Sequence, residues 1–422
     1  MSPLRTIAIV LILIGSSIAW MVLGGVTDSR THNQRLDLRH SVAGLWGEPQ
    51  TQIAPMLTFR WTTTRSEVRE ETVDNKTRNV RTFIEDVHEQ AVRPRATEID
   101  VALRLDTRRK GLMWYPLYDV NFSGHWTYIH QSKTSGTLDI LFVFPLESGI
   151  YDDFFFVVND RPQEVTPTAG QLKTSIAVNP GDEVELRIGY ASRGMSEWAY
   201  RPSHGVARLE NFRLRMTTDF QKIDFPAQSM SPSTKTLTDS GWELAWNFKQ
   251  VVTGHLMGMV MPEKIQPGEL AAELSFSAPI SLLFFFLVVW SLAAVRKLDL
   301  HPINFLFVAA AFFAFHLLFA YSVDRLTVVS AFALSSVVSI VLVASYLRLV
   351  VSSRFAFVEA TIAQLIYLVG FSLAHFWEGS TGLTVTILSI ITLFFLMQLT
   401  GRIVPRNASR TPETLPPHPE QR

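Results

Sequence analysis

The sequence predicts an α+β membrane protein: an N-terminal transmembrane anchor, a large antiparallel β-sandwich outside the bilayer and a C-terminal five-helix transmembrane bundle. Three observations predict it. Five apolar stretches fall between residues 279 and 399, a sixth at 7–26 stands alone, and the long segment between them alternates apolar and polar residues with period two. The corresponding division is 1–26 (anchor), 27–277 (outer domain), 278–400 (bundle) and 401–422 (tail).

The C-terminal spans are read at 279–295, 303–323, 327–347, 355–376 and 382–399, each near the ~20 residues that ~30 Å of hydrocarbon requires. Arg5, Arg296, Lys297, Arg348, Arg354, Arg402, Arg406, Arg410 and Arg422 fall on one side of this arrangement, and Arg325 alone on the other; Glu378 marks the last short connection. Cationic loops stay cytoplasmic, so both termini are expected inside and 27–277 outside. A cleaved signal peptide is the alternative for 7–26. Against it stand the single Arg5 before the apolar run, the length of that run, and Trp20 and Met21 where small residues should guide cleavage.

Charged residues make up only 18% of the chain and hydrophobic ones 47%, as expected when much of it lies in lipid. Of 38 basic and 38 acidic residues, 28 and 32 belong to 27–277, a balance that offers nucleic acid no electrostatic footprint. No cysteine is present, which excludes disulfides, thiolate metal sites and cysteine nucleophiles.

In the outer domain, Ile99, Val101, Leu103 and Leu105 alternate with Asp100, Ala102 and Arg104; Val184–Tyr190, Phe212–Met216 and Trp242–Phe248 repeat the pattern of half-buried strands. Asn159-Asp160-Arg161-Pro162, Asn179-Pro180-Gly181-Asp182 and Asp239-Ser240-Gly241 supply the turns. A Pro/Thr/Gly cluster at 165–175 suggests a seam between two packed sub-sandwiches. Leu38, Val42 and Leu45 recur at helical spacing, so the anchor should continue outward as an amphipathic helix. The proline-rich end of the tail reads as disordered.

The run Val42-Ala43-Gly44-Leu45-Trp46-Gly47-Glu48-Pro49-Gln50-Thr51, followed by Pro55-Met56-Leu57, resembles the start of the outer domain in the inner-membrane CreD family. Leu300-His301-Pro302-Ile303-Asn304, with Asp324 closing the same span, resembles that family as well, as does the plan of one anchor, one long outer domain and five further spans. The sequence departs from the family around Ala293, where a glutamate is usual, and at His316, where a tyrosine is common. What the resemblance implies is a bacterial inner-membrane protein with a periplasmic domain, linked to envelope integrity and stress tolerance and without an established catalytic activity.

No metalloprotease or phosphate-loop signature occurs, and the nearest approach to a nucleophile elbow, Gly194-Met195-Ser196-Glu197-Trp198, ends in Trp where glycine is needed. The expectation is a protein that is not an enzyme and carries no cofactor. Arg193, Trp198, Tyr200 and Arg201 are candidate outer-domain contact residues, since Arg, Trp and Tyr are enriched where partners meet; the alternative is an aromatic edge packed by arginine stems. His255, Met257, Met259 and Met261 would share one strand face. Soft sulfur there could take Cu(I), but core packing accounts for the same spacing.

Within the spans, His316, Glu359 and Gln364 are the polar candidates. The plain alternatives are an interhelical hydrogen bond for His316 and, for Glu359, an ion pair with Arg296, Arg348 or Arg354. Ala331, Ser335 and Ser339 form a small-residue face for close helix approach. Three function classes follow: an envelope protein engaging a protein, wall or lipid component; a sensor or signal-modulating receptor; and a transporter centred on His316, Glu359 and Gln364. The partners expected are membrane lipid and an envelope protein or wall component, not nucleic acid; the sequence leaves the oligomeric state open.

Overall fold

The computed structural model describes residues 3–401 apart from 74, 75, 112, 378 and 380. Glu378, the four arginines from Arg402 onward and the proline-rich tail of the sequence reading lie outside these residues. The chain divides into two compact units, Met1–Arg35 with Ile265–Arg422, and Leu36–Lys264.

Among the described residues, six helices are long and apolar enough to cross a membrane. They are α1 (Pro3–Trp46), α2 (Pro267–Val295), α3 (Pro302–Ser322), α4 (Val328–Val350), α5 (Phe355–Phe376) and α6 (Thr381–Gly401). Three starts are legible locally: Pro267 and Pro302 occupy first-turn positions where a missing N–H costs nothing, and Thr327 caps α4 by accepting from the Ser330 N–H at 3.2 Å. The expected start at Pro279 is wrong. α2 begins twelve residues earlier, at Pro267, and carries Pro279 in its interior. A proline reads as a boundary in sequence, but apolar packing of Leu270, Ala271, Leu274 and Ala278 holds the helix through it.

α1 does not stop at residue 26 but runs on unbroken to Trp46. Arg5 pairs with Asp299 and Arg30 with Asp324, and both pairs are 294 residues apart in sequence, so α1 and α3 run parallel in constant register. The bundle core is aromatic: Trp20, Phe285, Phe312, Phe315 and Phe319 are fully buried. Phe332 stands edge-on to Phe315 and Phe319, with ring centroids 5.6 and 6.1 Å away. Ala331, Ser335 and Ser339 are also fully buried, and Ser339 donates across to the Ala311 carbonyl of α3 at 2.8 Å. In α5, two stretches with widened i→i+5 turns, Phe355–Ala360 and Leu365–Gly370, flank Thr361–Gln364.

The described residues of the other unit form three sheets. The largest has eight strands in the order Thr234–Leu237, Trp242–Thr253, Ala207–Thr218, Ala96–Lys110, Met113–Ile129, Glu183–Met195, Tyr151–Val158 and Arg161–Pro162. A four-stranded sheet orders Lys76–Val92, Met56–Val73, Gly136–Val143 and Gln171–Val178; a three-stranded one orders Gln50–Ile53, Glu197–Arg201 and Met257–Val260. The expected antiparallel pairing needs correction at two places. Gln50–Ile53 runs parallel to Glu197–Arg201, and Ala207–Thr218 runs parallel to Ala96–Lys110. Alternation reports which face a residue takes, never the direction of the neighbouring strand.

The predicted alternation does fix the faces. Ile99, Val101, Leu103, Val184, Leu186, Ile188, Phe212, Leu214 and Met216 are buried in one apolar cluster that also takes Leu57, Phe59, Leu138, Leu172 and Val178 from the four-stranded sheet. Leu172 and Val178 belong to that same cluster, so the core continues through the place where the sequence suggested a seam. Asn159 and Asp160, at φ 47° and 60°, make the two-residue hairpin joining Tyr151–Val158 to Arg161–Pro162, as their identities predict.

Candidate functional site

The outward face of the eight-stranded sheet carries a trough. Arg104, Asp119 and Arg193 stand side by side on three adjacent strands. One Asp119 oxygen accepts from Arg104 at 3.0 Å and the other pairs with Arg193 at 3.3 Å, so two guanidiniums share one carboxylate. Two residues along the same strands the row becomes Ala102, Asn121 and Ala191, and two further on Asp100, Ser123 and Gly189. These small side chains are the floor. At one end lies a cavity of about 930 Å³ bounded by Trp46, Gly47, Glu48, Ile150, Asp152 and Asp219. It shares Ala102, Asn121, Ala191 and Thr217 with a second cavity of about 660 Å³ that continues past Asp100, Asp153 and Phe155.

Local chemistry shapes each wall. Between Gly189 and Ala191 the neighbouring strand advances from Phe155 to Asp152, one residue too many, and Asp153 takes the left-handed conformation at φ 51°. This bulge turns two successive carboxylates, Asp152 and Asp153, toward the same trough. Phe155 lies directly over Gly189, where any Cβ would collide with its ring. At the far end Gly47 has φ 97° and abuts the Arg193 carbonyl, a close approach only glycine permits. Buried Gln50 donates to that carbonyl at 2.7 Å and to the Ser192 hydroxyl at 3.1 Å, locking the wall from behind.

Beneath the floor, the hydroxyls of Tyr118, Tyr190 and Tyr200 are held above the usual phenol range by burial, and Tyr151 is pushed up to about 12 for the same reason. They stay neutral donors: Tyr190 to Gln52 at 2.8 Å and Tyr118 to the Glu197 carbonyl at 2.8 Å.

The polar residues of the spans sit differently. Gln364 donates to the Ser339 hydroxyl at 2.9 Å, which completes a relay through Ser339 to Ala311 and ties α5 to α4 and α3. Its side-chain oxygen is buried without a hydrogen-bond partner among the described residues. Glu359 is paired with Arg296, one of the three cations expected for it, while its second oxygen is buried and has no hydrogen-bond partner among the described residues. For His316 the expected interhelical bond is not what forms: Nδ1 meets the Phe312 carbonyl of its own helix at 3.0 Å, and the ring stands edge-on to Trp20 at 5.5 Å.

A family description, inner membrane protein CreD, matches residues 2–257, more than half of the chain. The chain belongs to the CreD family. Its Trp46–Gln50 run lies inside the matched region and builds the end of the trough, whereas Leu300–Asn304 lies beyond it. No curated protein matches the chain. Among solved structures, a Legionella pneumophila "putative nutrient binding protein" is 11% identical, with a TM-score of 0.27 over 45% of this chain and 73% of that one. An M1 zinc metallopeptidase from Deinococcus radiodurans is 10% identical, with a TM-score of 0.24 over 65% of this chain and 94% of its own. Likeness at this level carries no functional argument.

Of the four outer contact candidates in this CreD family member, only Arg193 joins the trough. Trp198 and Tyr200 are fully buried, because their strand is the middle one of the three-stranded sheet and both its faces are covered; Arg201 is half-buried and lines neither cavity. Met257, Met259 and Met261 are core residues, and His255 precedes their strand with its ring against the Gln228 carbonyl. Ser196 sits at φ 70°, its N–H donated to Pro116 and its carbonyl accepting from Met261, a bulge residue between two strands. Sequence reasoning missed Asp100, Asp119, Asn121 and Ala191. Asp152-Asp153 left a signal, two consecutive acids breaking the alternation.

Proposed function

We propose that this CreD family membrane protein acts as a binding component of the cell envelope, without catalysis, and that its β-rich unit lies in the periplasm and supports envelope integrity under stress. The observation that carries this reading is the trough: a concavity of about 930 Å³ is within the size range of ligand sites, and it sits on the face of a sheet whose other side is a packed core. The placement of the unit follows from the basic connections near Arg5, Arg296 and Arg348. The parallel course of α1 and α3, which brings Arg5 and the loop before α3 together at Asp299, is consistent with it.

The test is complementation. Cells lacking the gene should lose tolerance to detergents and β-lactams while growing almost normally in rich medium, and a chain lacking residues 36–264, verified as inserted, should fail to restore it. Full restoration by that truncated chain would move the work into the bundle.

A second reading, transport, draws support from α5, where the unpartnered oxygens of Glu359 and Gln364 fall in or beside the i→i+5 stretches that often mark functional helices. Gln364→Leu at normal protein level with lost tolerance would favour it.

A further inference from the structure

The acids that line the trough outnumber its arginines, and several of them have no base within ion-pair distance among the described residues. Arg104 and Arg193 share Asp119, and Arg215 holds Glu243 through both oxygens at 3.0 and 3.1 Å. Glu48, Asp152 and Asp153 line the walls with no hydrogen-bond or ion-pair partner among the described residues. Asp100 lies cross-strand from Arg215, which it attracts without a direct ion pair, and Asp219 adds a further carboxylate, which accepts from the Leu105 N–H. The trough therefore carries a net negative charge, although in the Arg104–Asp119–Arg193 row two guanidiniums share one carboxylate. From the Arg104–Asp119–Arg193 row to the Asp100–Ser123–Gly189 row it descends four residues along each strand, roughly 13 Å at the strand rise, and the Trp46–Glu48 end lengthens it further.

Charge alone would suit any cation, so the floor decides. Asn121 and Ser123 are exposed and their side chains have no hydrogen-bond partner among the described residues, an amide and a hydroxyl placed to serve both the N–H and the C=O of a main chain lying above them. Ile150 and Phe155, 73% and 41% exposed, add an apolar lip. Carboxylate walls, hydrogen-bonding floor and apolar lip together match a polypeptide strand with Lys or Arg side chains reaching outward to the acids. We propose that the trough binds an extended basic peptide segment of a partner protein. The proposal rests on the binding role argued above and names the chemistry of what is bound.

The experiment uses the full chain in a non-ionic detergent and a fluorescein-labelled short peptide of alternating lysine and alanine, with a glutamate–alanine peptide and spermine as comparators. The basic peptide should bind and the acidic one should not, and the affinity should fall as salt is raised and the Debye length shrinks. Asp152→Asn with Asp153→Asn should weaken binding by about fivefold to tenfold, the scale of two lost exposed charge interactions. Ala191→Phe, which fills the floor without altering charge, should weaken it comparably. Glu67→Gln with Glu89→Gln, exposed acids on the hairpin of the four-stranded sheet, should leave it within about twofold if site and not net charge governs binding.

Equal losses in trough and hairpin variants would overturn the proposal, as would binding indifferent to Ala191→Phe. Spermine binding in preference to the peptide would overturn it in favour of a small polyamine. If the trough variants bind normally while removal of 36–264 still abolishes tolerance, the peptide inference falls and the envelope role stands. If Asp152→Asn with Asp153→Asn loses the peptide but keeps full tolerance, the trough binds as inferred and the envelope role assigned to it falls.

Discussion

Two sets of carboxylates, one in each unit, are treated in opposite ways. In the helical unit Asp299, Asp324, Glu269 and Glu359 are each matched with an arginine, Arg5, Arg30, Arg35 and Arg296 in turn. In the β-rich unit Glu48, Asp152 and Asp153 stand around one trough with no ion-pair partner among the described residues. The difference follows from the solvent. An unpaired charge near hydrocarbon is costly, so those acids are tied to the fold, whereas on a water-facing sheet an unpaired acid costs almost nothing and stays available to a partner.

The sharpest break of this comparison is topological and all-or-none. A reporter active only outside the inner membrane should work when fused after Ile150 and fail when fused after Leu298. Activity at both positions would put Asp299 and the trough acids on the same side and break the six-span topology.

Next in size is Trp246→Ala. Trp246 is fully buried and donates to the Met230 carbonyl at 2.7 Å. The substitution should destabilise the β-rich unit by about 3–5 kcal/mol, read by urea unfolding, while Asp152→Asn should stay within about 0.5 kcal/mol. A large loss from Asp152→Asn would mean that the trough acids serve the fold after all.

Arg296→Ala should lower the thermal stability of the helical unit by roughly 1–3 kcal/mol, because Glu359 then keeps a buried oxygen with no cation near it. Arg296→Ala combined with Glu359→Gln should recover part of the loss. An additive double variant would show that the pair is not coupled.

The smallest effect is alkaline. Burial raises the folded-state pKa of Tyr118, Tyr190 and Tyr200, with Tyr151 at about 12, above the unfolded value near 10. The stability they contribute is full below pH 10 and is lost as pH rises through the folded values. Phenolate absorbance should therefore appear late and together with unfolding of the β-rich unit. Early ionisation without unfolding would place these rings at the surface.

Much of this was legible before the structure. Period-two alternation identified the buried face of Ile99–Leu103 and Val184–Tyr190, and the last four of the six spans were bounded closely, because each of these features is carried by residues adjacent in sequence. The start of α2 was misread, since Pro279 carries the same local signal inside a helix as at its end. Trp198 and Tyr200 looked like surface anchors because composition cannot reveal that a strand is covered on both faces.

What the sequence by itself determined was which segments are long and apolar enough to cross a membrane, through run length, and the inward face of each strand, through alternation. Strand order and direction, the identity of the acids left without partners, and the convergence of Trp46–Glu48, Asp152-Asp153 and Asp100 on one trough were decided only by the tertiary structure. The reason is physical. A carboxylate is paired or free according to which strand becomes its neighbour, and that choice is made by long-range packing, which no local pattern records.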